Sequence, residues 1–205
     1  MTREADIQQA LSLGANYIGF IVYPKSPRAL TLERAVELSA LVPKEQRVLV
    51  DVEANLNDIE RYQTAGFDYF QMHVNVLLDR SRIIDYSSLI GHDYLWLAPR
   101  LAPSMEFPVW ILEYAKTIVL DTYSKSQVGG TGHTGDFERF AQLKKQFTNI
   151  QWVLAGGLSP LNIKAAINRS TTTHVDVNSG VESAPGKKDP EKLSEFFQAI
   201  ARSVQ

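Results

Sequence analysis

Three glycine-bearing segments late in the chain, Gly129-Gly130-Thr131-Gly132, Gly156-Gly157 and Ser179-Gly180, each follow an apolar run. Without a Cβ, backbone N–H groups can approach an anion closely, and a helix start just beyond adds favourable partial charge. A single Gly-Gly is as readily a tight turn. Three such loops at successive strand exits point instead to a phosphate site, with Gly130, Thr131, Gly132, Gly156, Gly157, Ser179 and Gly180 as its donors.

Other residues read two ways. Asp121 ends the apolar run Thr-Ile-Val-Leu. A carboxylate at a strand's end, partly desolvated beside a bound anion, can hold a proton and act as a general acid, or it can cap a turn toward Thr122. Arg28 sits in a loop stiffened by Pro24 and Pro27. That rigidity limits the entropy lost when its guanidinium grips a carboxylate or phosphate; the alternative is a solvated surface arginine. His73, two residues after Gln71, is a ligand donor or a satisfied core histidine, and His133 in the first glycine loop faces an anion or water. The four histidines, at 73, 92, 133 and 174, show no paired ligand spacing, and no cysteine assists them, so no metal is expected. No G-x-S-x-G elbow supports a serine hydrolase.

These residues are positioned by a repeating frame. Apolar, β-branched and aromatic runs at residues 17–23, 47–53, 67–73, 94–98, 117–121, 151–155 and 174–178 read as seven strands. Helical spacing lies between them, clearest in Leu193, Phe196, Phe197, Ile200, Ala201 and Val204, which share one face. Helix starts are signalled by Thr31, by Asp136 and by Ser159-Pro160, and the chain opens on a helix from Arg3 to Leu13 that ends at Gly14. Strand alternating with helix implies parallel strands in a single α/β domain over residues 1–205, either a barrel or a doubly wound sheet. In such folds ligands bind at the carboxyl ends of the strands, where the polar and glycine residues collect.

Composition narrows the partners. The 205-residue chain has a net charge of −2 and no Lys/Arg block, so neither nucleic acid nor a membrane surface is expected. Its apolar runs are too short to span a bilayer, and Arg3 to Asp6 is charged where a signal peptide would be apolar, which points to the cytoplasm. The absence of cysteine removes disulfides, thiolate nucleophiles and zinc-thiolate sites.

Taken together, Gly14-Ala15-Asn16-Tyr17-Ile18-Gly19-Phe20, Ser26-Pro27-Arg28, Gln71-Met72-His73, Leu120-Asp121, Gly129 to Gly132, Ala155 to Leu158, Asp176 to Glu182 and Pro185-Gly186-Lys187-Lys188-Asp189 resemble the phosphoribosylanthranilate isomerases of tryptophan biosynthesis, in the family's order. The resemblance implies a (β/α)8 barrel that turns an aminoaldose into an aminoketose by an Amadori rearrangement, without cofactor or metal. It implies Asp121 as the acid that protonates the furanose oxygen, Arg28 as the grip on the anthranilate carboxylate, and the glycine loops as the holders of the ribose 5-phosphate. Gln71 and His73 would line the rest of the pocket. The implied partner is a small phosphosugar, bound by a monomer or homodimer.

Departures from the family pattern matter equally. The family's base is a cysteine in a Cys-Gly-x-Thr motif on the first strand, and here Met1-Thr2 matches only the last two positions. The first strand of the barrel is therefore expected upstream of Met1. Asp51 and Glu53 stand where the family usually has Phe and Asn; near an anionic substrate they must face away or pair with a cation such as Arg100. Val74-Asn75 replaces a glycine, and Leu97-Ala98-Pro99-Arg100 is unlike the usual strand exit. A non-catalytic or divergent phosphosugar-binding barrel is the alternative, as is another sugar-phosphate isomerase or epimerase. Residues 1–205 should turn over poorly, and about ten added residues carrying Cys-Gly, roughly a strand's length, should restore turnover. Loss of phosphoribosylanthranilate fluorescence measures both, and in-frame upstream codons without Cys-Gly would contradict the expectation.

Overall fold

The computed structural model describes residues 1–101, 105–121 and 136–203. In chain order the elements are α1 (Glu4–Ser12), β1 (Ile18–Ile21), α2 (Leu32–Ser39), β2 (Arg47–Val52), α3 (Leu56–Thr64), β3 (Tyr69–Val74), α4 (Arg80–Ile90), β4 (Leu95–Pro99), β5 (Thr117–Asp121), α5 (Phe137–Gln146), β6 (Gln151–Ala155), α6 (Ile163–Ser170), β7 (Glu182–Ala184), β8 (Lys187–Lys188) and α7 (Pro190–Ala201). Strands β1 to β6 pair in sequence order, all parallel, as the strand–helix alternation requires. Among the described residues no helix is long and apolar enough to cross a membrane.

Each strand is apolar on both faces because both are covered. Phe20, Leu49, Phe70, Met72, Leu97, Ile118, Leu120 and Leu154 pack outward under the helices. Val48, Val50, Trp96, Ala98, Val119, Val153 and Ala155 form a second cluster on the inner face of the curled sheet. The period-two alternation therefore fixes, for every strand, which residues look into the barrel.

Four expectations are corrected. Residues 174–178 do not form a strand: only Val175 bridges, to Leu154 of β6, and the segment then turns into an antiparallel β7–β8 hairpin. The third strand runs from Tyr69 to Val74, not from Phe67, because Gly66, at φ +84°, still belongs to the turn. Thr31 and Asp136 do cap their helices, accepting from Arg34 N–H and Arg139 N–H, whereas Ser159-Pro160 does not start α6. There the Asn162 side chain accepts from Ser159 N–H at 2.8 Å and donates to Gly157 O at 2.8 Å, closing a turn that delays the helix to Ile163. On α7, Leu193 and Phe196 are buried and Phe197 and Ile200 partly so, but Ala201 is exposed near the helix end, and Val204 lies outside the described residues.

Along the free side of β1, the Met1 amino group donates to Gly19 O and Thr2 Oγ1 donates to Gly186 O. Asp6 Oδ2 accepts from Lys188 N–H at 3.0 Å. The start of the chain thus lies between β1 and the β7–β8 hairpin, the place that the motif match assigns to Met1-Thr2.

Asp51 points outward from β2, where its carboxylate accepts from Tyr62 O–H at 2.7 Å and from Val52 N–H at 2.7 Å. Burial holds its carboxyl above the ordinary 3.8, against those two hydrogen bonds, which pull the other way. The folded chain then binds this proton more tightly than the unfolded chain, so ionisation of Asp51 costs stability as pH rises through the folded value. Relative to the parent, Asp51→Asn should gain stability between pH 4 and pH 7, as read from denaturant midpoints at the two pH values.

Candidate functional site

The register brings the chemistry-bearing residues to one pole. Asp121, the last residue of β5, pairs with Ala155 of β6 and alternates with the inward-facing Val119, so its carboxylate stands at the barrel mouth and is exposed. His73 of β3 lies level with Ala98 of β4 and with Val52 of β2. Gln71 is buried one step deeper on the same strand face, its Nε2 3.0 Å from His73 Nε2. An amide nitrogen can only donate, so that contact uses a neutral imidazole accepting at Nε2. Burial lowers the His73 pKa in the same sense, opposed by the charge of Asp121. His73 is thus half-buried and faces the Asp121 charge, so it is not a plain core histidine.

Arg28 is held, not free. Its Nε donates to both oxygens of Glu182 at 2.9 and 3.0 Å, and its Nη2 to Glu182 Oε2 at 2.6 Å. Glu182 in turn accepts from Lys188 Nζ at 3.2 Å, and both partners of that second pair are buried. Burial would raise the Glu182 carboxyl, but the hydrogen bonds and charges of Arg28 and Lys188 outweigh it and hold it low. Lys188 is lowered by its own burial, and Glu182 and Asp176 oppose the shift.

Two of the three glycine loops meet. Gly156 and Gly157 adopt φ of +98° and +59°, a left-handed backbone that favours glycine. At Gly180 a Cβ would lie 1.8 Å from the Leu158 carbonyl oxygen, so the turn at Ser179–Val181 packs directly on the loop after β6. Gly130, Thr131 and Gly132 of the first loop, and His133, lie outside the described residues.

Sequence reading missed Asp176, Glu182 and Lys188 as site groups. Val175 bridges Leu154, which faces the helices, so Asp176 turns inward at the level of Ala155, two strand positions from Asp121. Surrounding protein pushes its carboxyl up; Lys188 opposes this and Asp121 adds to it, while the side chain keeps solvent contact through the mouth. The available signal was the alternation of polar His174, Asp176 and Asn178 with valines, in a segment too polar for an ordinary barrel strand. The acids that depart from the family pattern stay clear of the mouth's chemistry. Asp51 faces Tyr62, and Glu53, at φ +53°, ion-pairs with Arg100 across the strand exits. A cleft of about 600 Å³ beside Asp51, Glu53 and Tyr62 includes none of Asp121, Arg28, His73 or the glycine loops.

Parallel strands curled around an inner apolar layer, with Asp121, an anchored arginine and two glycine loops at their carboxyl ends, are the arrangement of an α/β-barrel enzyme. The family model described as N-(5'phosphoribosyl)anthranilate (PRA) isomerase matches residues 1–199. The chain belongs to that family. It is 37% identical over 204 residues to the N-(5'-phosphoribosyl)anthranilate isomerase of Syntrophus aciditrophicus, covering 98% of this chain and 85% of the relative. The crystal structure of TrpF from Jonesia denitrificans superposes with a TM-score of 0.79 at 31% identity, covering 100% of this chain and 95% of that one. A phosphoribosyl anthranilate isomerase in complex with reduced 1-(o-carboxyphenylamino)-1-deoxyribulose 5-phosphate superposes with a TM-score of 0.73 at 25% identity, covering 98% and 95%. These relatives are (β/α)8 barrels, and the curled six-stranded sheet is the corresponding part of that architecture.

The contact at Gly180 is against backbone, which cannot swing aside. Gly180→Ala should therefore cost about 1–3 kcal/mol of stability, the usual range for forced overpacking, measurable by chemical denaturation.

Proposed function

We propose that the chain isomerises N-(5-phosphoribosyl)anthranilate to the 1-deoxyribulose 5-phosphate aminoketose, a step of tryptophan biosynthesis, as a cytoplasmic monomer or homodimer acting on a small molecule. One observation carries the reading: the same pole presents an anchored arginine, an inward-facing carboxyl and a two-glycine loop. A substrate with a carboxylate at one end and a phosphate at the other needs that division.

Asp121 gives its proton to the furanose ring oxygen, the C1–O bond breaks, and the nitrogen lone pair forms the C1=N iminium. Loss of the C2 proton to a base then moves that electron pair into C1=C2 and the iminium pair back to nitrogen. The resulting enolamine takes a proton at C1 and loses one from the C2 hydroxyl, giving the ketone. In this reading the base belongs to the Cys-Gly-x-Thr motif whose last positions Met1 and Thr2 match. Arg28 receives the anthranilate carboxylate. Gly156, Gly157, Ser179 and Gly180, with Gly130, Thr131 and Gly132, take the phosphate, and Gln71 and His73 line the wall between them.

Fluorescence-monitored turnover tests the assignment, in the chain extended by the roughly ten residues that carry Cys-Gly. Asp121→Asn should lower kcat by about 10²–10⁴-fold, the span of a general-acid contribution, with little change in KM. Arg28→Ala should instead raise KM by about tenfold or more, the worth of a charge-assisted hydrogen bond. Full turnover by Asp121→Asn would refute the role of that residue.

A further inference from the structure

Arginine has five N–H donors, and Glu182 engages Nε and one hydrogen of Nη2. Among the described residues the Nη1 group has no partner, so the Nη1/Nη2 edge remains open for a second carboxylate. A bidentate hold on the first edge leaves the guanidinium plane no freedom to rotate. It has a side effect: one carboxylate cancels the arginine's charge, and a neutral pair would attract a substrate carboxylate weakly. Lys188 removes that difficulty. Its ammonium sits on the other side of Glu182, 3.2 Å from Oε1, and is fixed by Asn178 O at 2.8 Å and Asn178 Oδ1 at 2.7 Å. The hydrogen-bonded trio of Arg28, Glu182 and Lys188 then carries one net positive charge. Asp176 also faces Lys188, outside this hydrogen-bonded trio.

We propose that Glu182 and Lys188 are positioning residues for recognition of the substrate's aromatic carboxylate. Glu182 aims the open edge of Arg28, and Lys188 preserves the positive charge behind it. The inference rests on the reading of Arg28 as the carboxylate grip, and it makes Glu182, an anion, a requirement for binding an anion.

Two ligands separate the possibilities: reduced 1-(o-carboxyphenylamino)-1-deoxyribulose 5-phosphate and the same compound without the ring carboxylate, titrated calorimetrically into the full chain. The unmutated chain should prefer the carboxylated ligand by about tenfold or more. Glu182→Gln raises the positive charge of the site, so simple attraction predicts tighter binding of the carboxylated ligand, whereas positioning predicts that the preference falls several-fold. Lys188→Met should also reduce the preference, Lys188→Arg should restore most of it, and the decarboxylated ligand should bind all variants equally. A Glu182→Gln preference that is unchanged or increased overturns the proposal. Equal weakening of both ligands in Glu182→Gln and Lys188→Met also overturns it, because that marks a structural role. If a variant fails to fold, Glu182→Asp and Lys188→Gln give the same comparison. No preference in the unmutated chain would instead sink the reading of Arg28, and loss of preference in Arg28→Ala alone would keep that reading while rejecting Glu182 and Lys188.

Discussion

One buried carboxylate, Glu182, ties the chain's last hairpin to the loop after β1 and, through Lys188, to the first helix. It receives Arg28 from the loop after β1 and Lys188 from the far side of its own hairpin, and Lys188 N–H in turn meets Asp6 of α1. A charge this far from water is costly unless every lone pair is used. Two cations supply that compensation, along with Gly186 N–H at 3.2 Å from Oε1. Removing either cation would leave a buried charge without adequate compensation, so the hairpin, the loop and the first helix are energetically coupled at one atom group. In the proposed reading the same coupled group receives the substrate's carboxylate, so closing the structure and recognising substrate fall to one element.

Backbone governs the neighbouring strand exits: the turn at Gly180 packs against the Leu158 carbonyl, beside the left-handed Gly156 and Gly157, a contact that no side chain at position 180 would permit. In the proposed reading the pole divides two chemistries between two anions: a guanidinium edge for a planar carboxylate and small backbone loops for a tetrahedral phosphate. Asp121 lies at the mouth, level with the methyl of Ala155, and its charge faces His73 of β3.

Much of this was legible beforehand. The six parallel strands, the capping by Thr31 and Asp136, the inward Asp121 and the rigid Arg28 loop all follow from local pattern, because strand alternation and cap chemistry depend on residues only a few positions apart. The placement of the two unexpected acids was framed correctly as well: Asp51 turns away and Glu53 takes Arg100. The 174–178 segment misled because its alternation is that of a strand, while pairing needs a neighbour's register as well, and only Val175 finds one. The Ser159-Pro160 start failed for a related reason, since Asn162 competes for the same backbone groups and closes a turn first.

The sequence by itself determined the family, the parallel α/β architecture and the gathering of polar and glycine residues at the carboxyl ends of the strands, since these rest on short-range periodicity and on motifs in fixed order. It also named Arg28 and Asp121. Only the tertiary structure decided what those residues face. Arg28 and Glu182 are 154 positions apart, and no local rule couples a guanidinium to a carboxylate at that separation. Their pairing exists because curling the sheet brings the chain's last hairpin beside its first strand, where burial leaves opposite charges no other way to be satisfied.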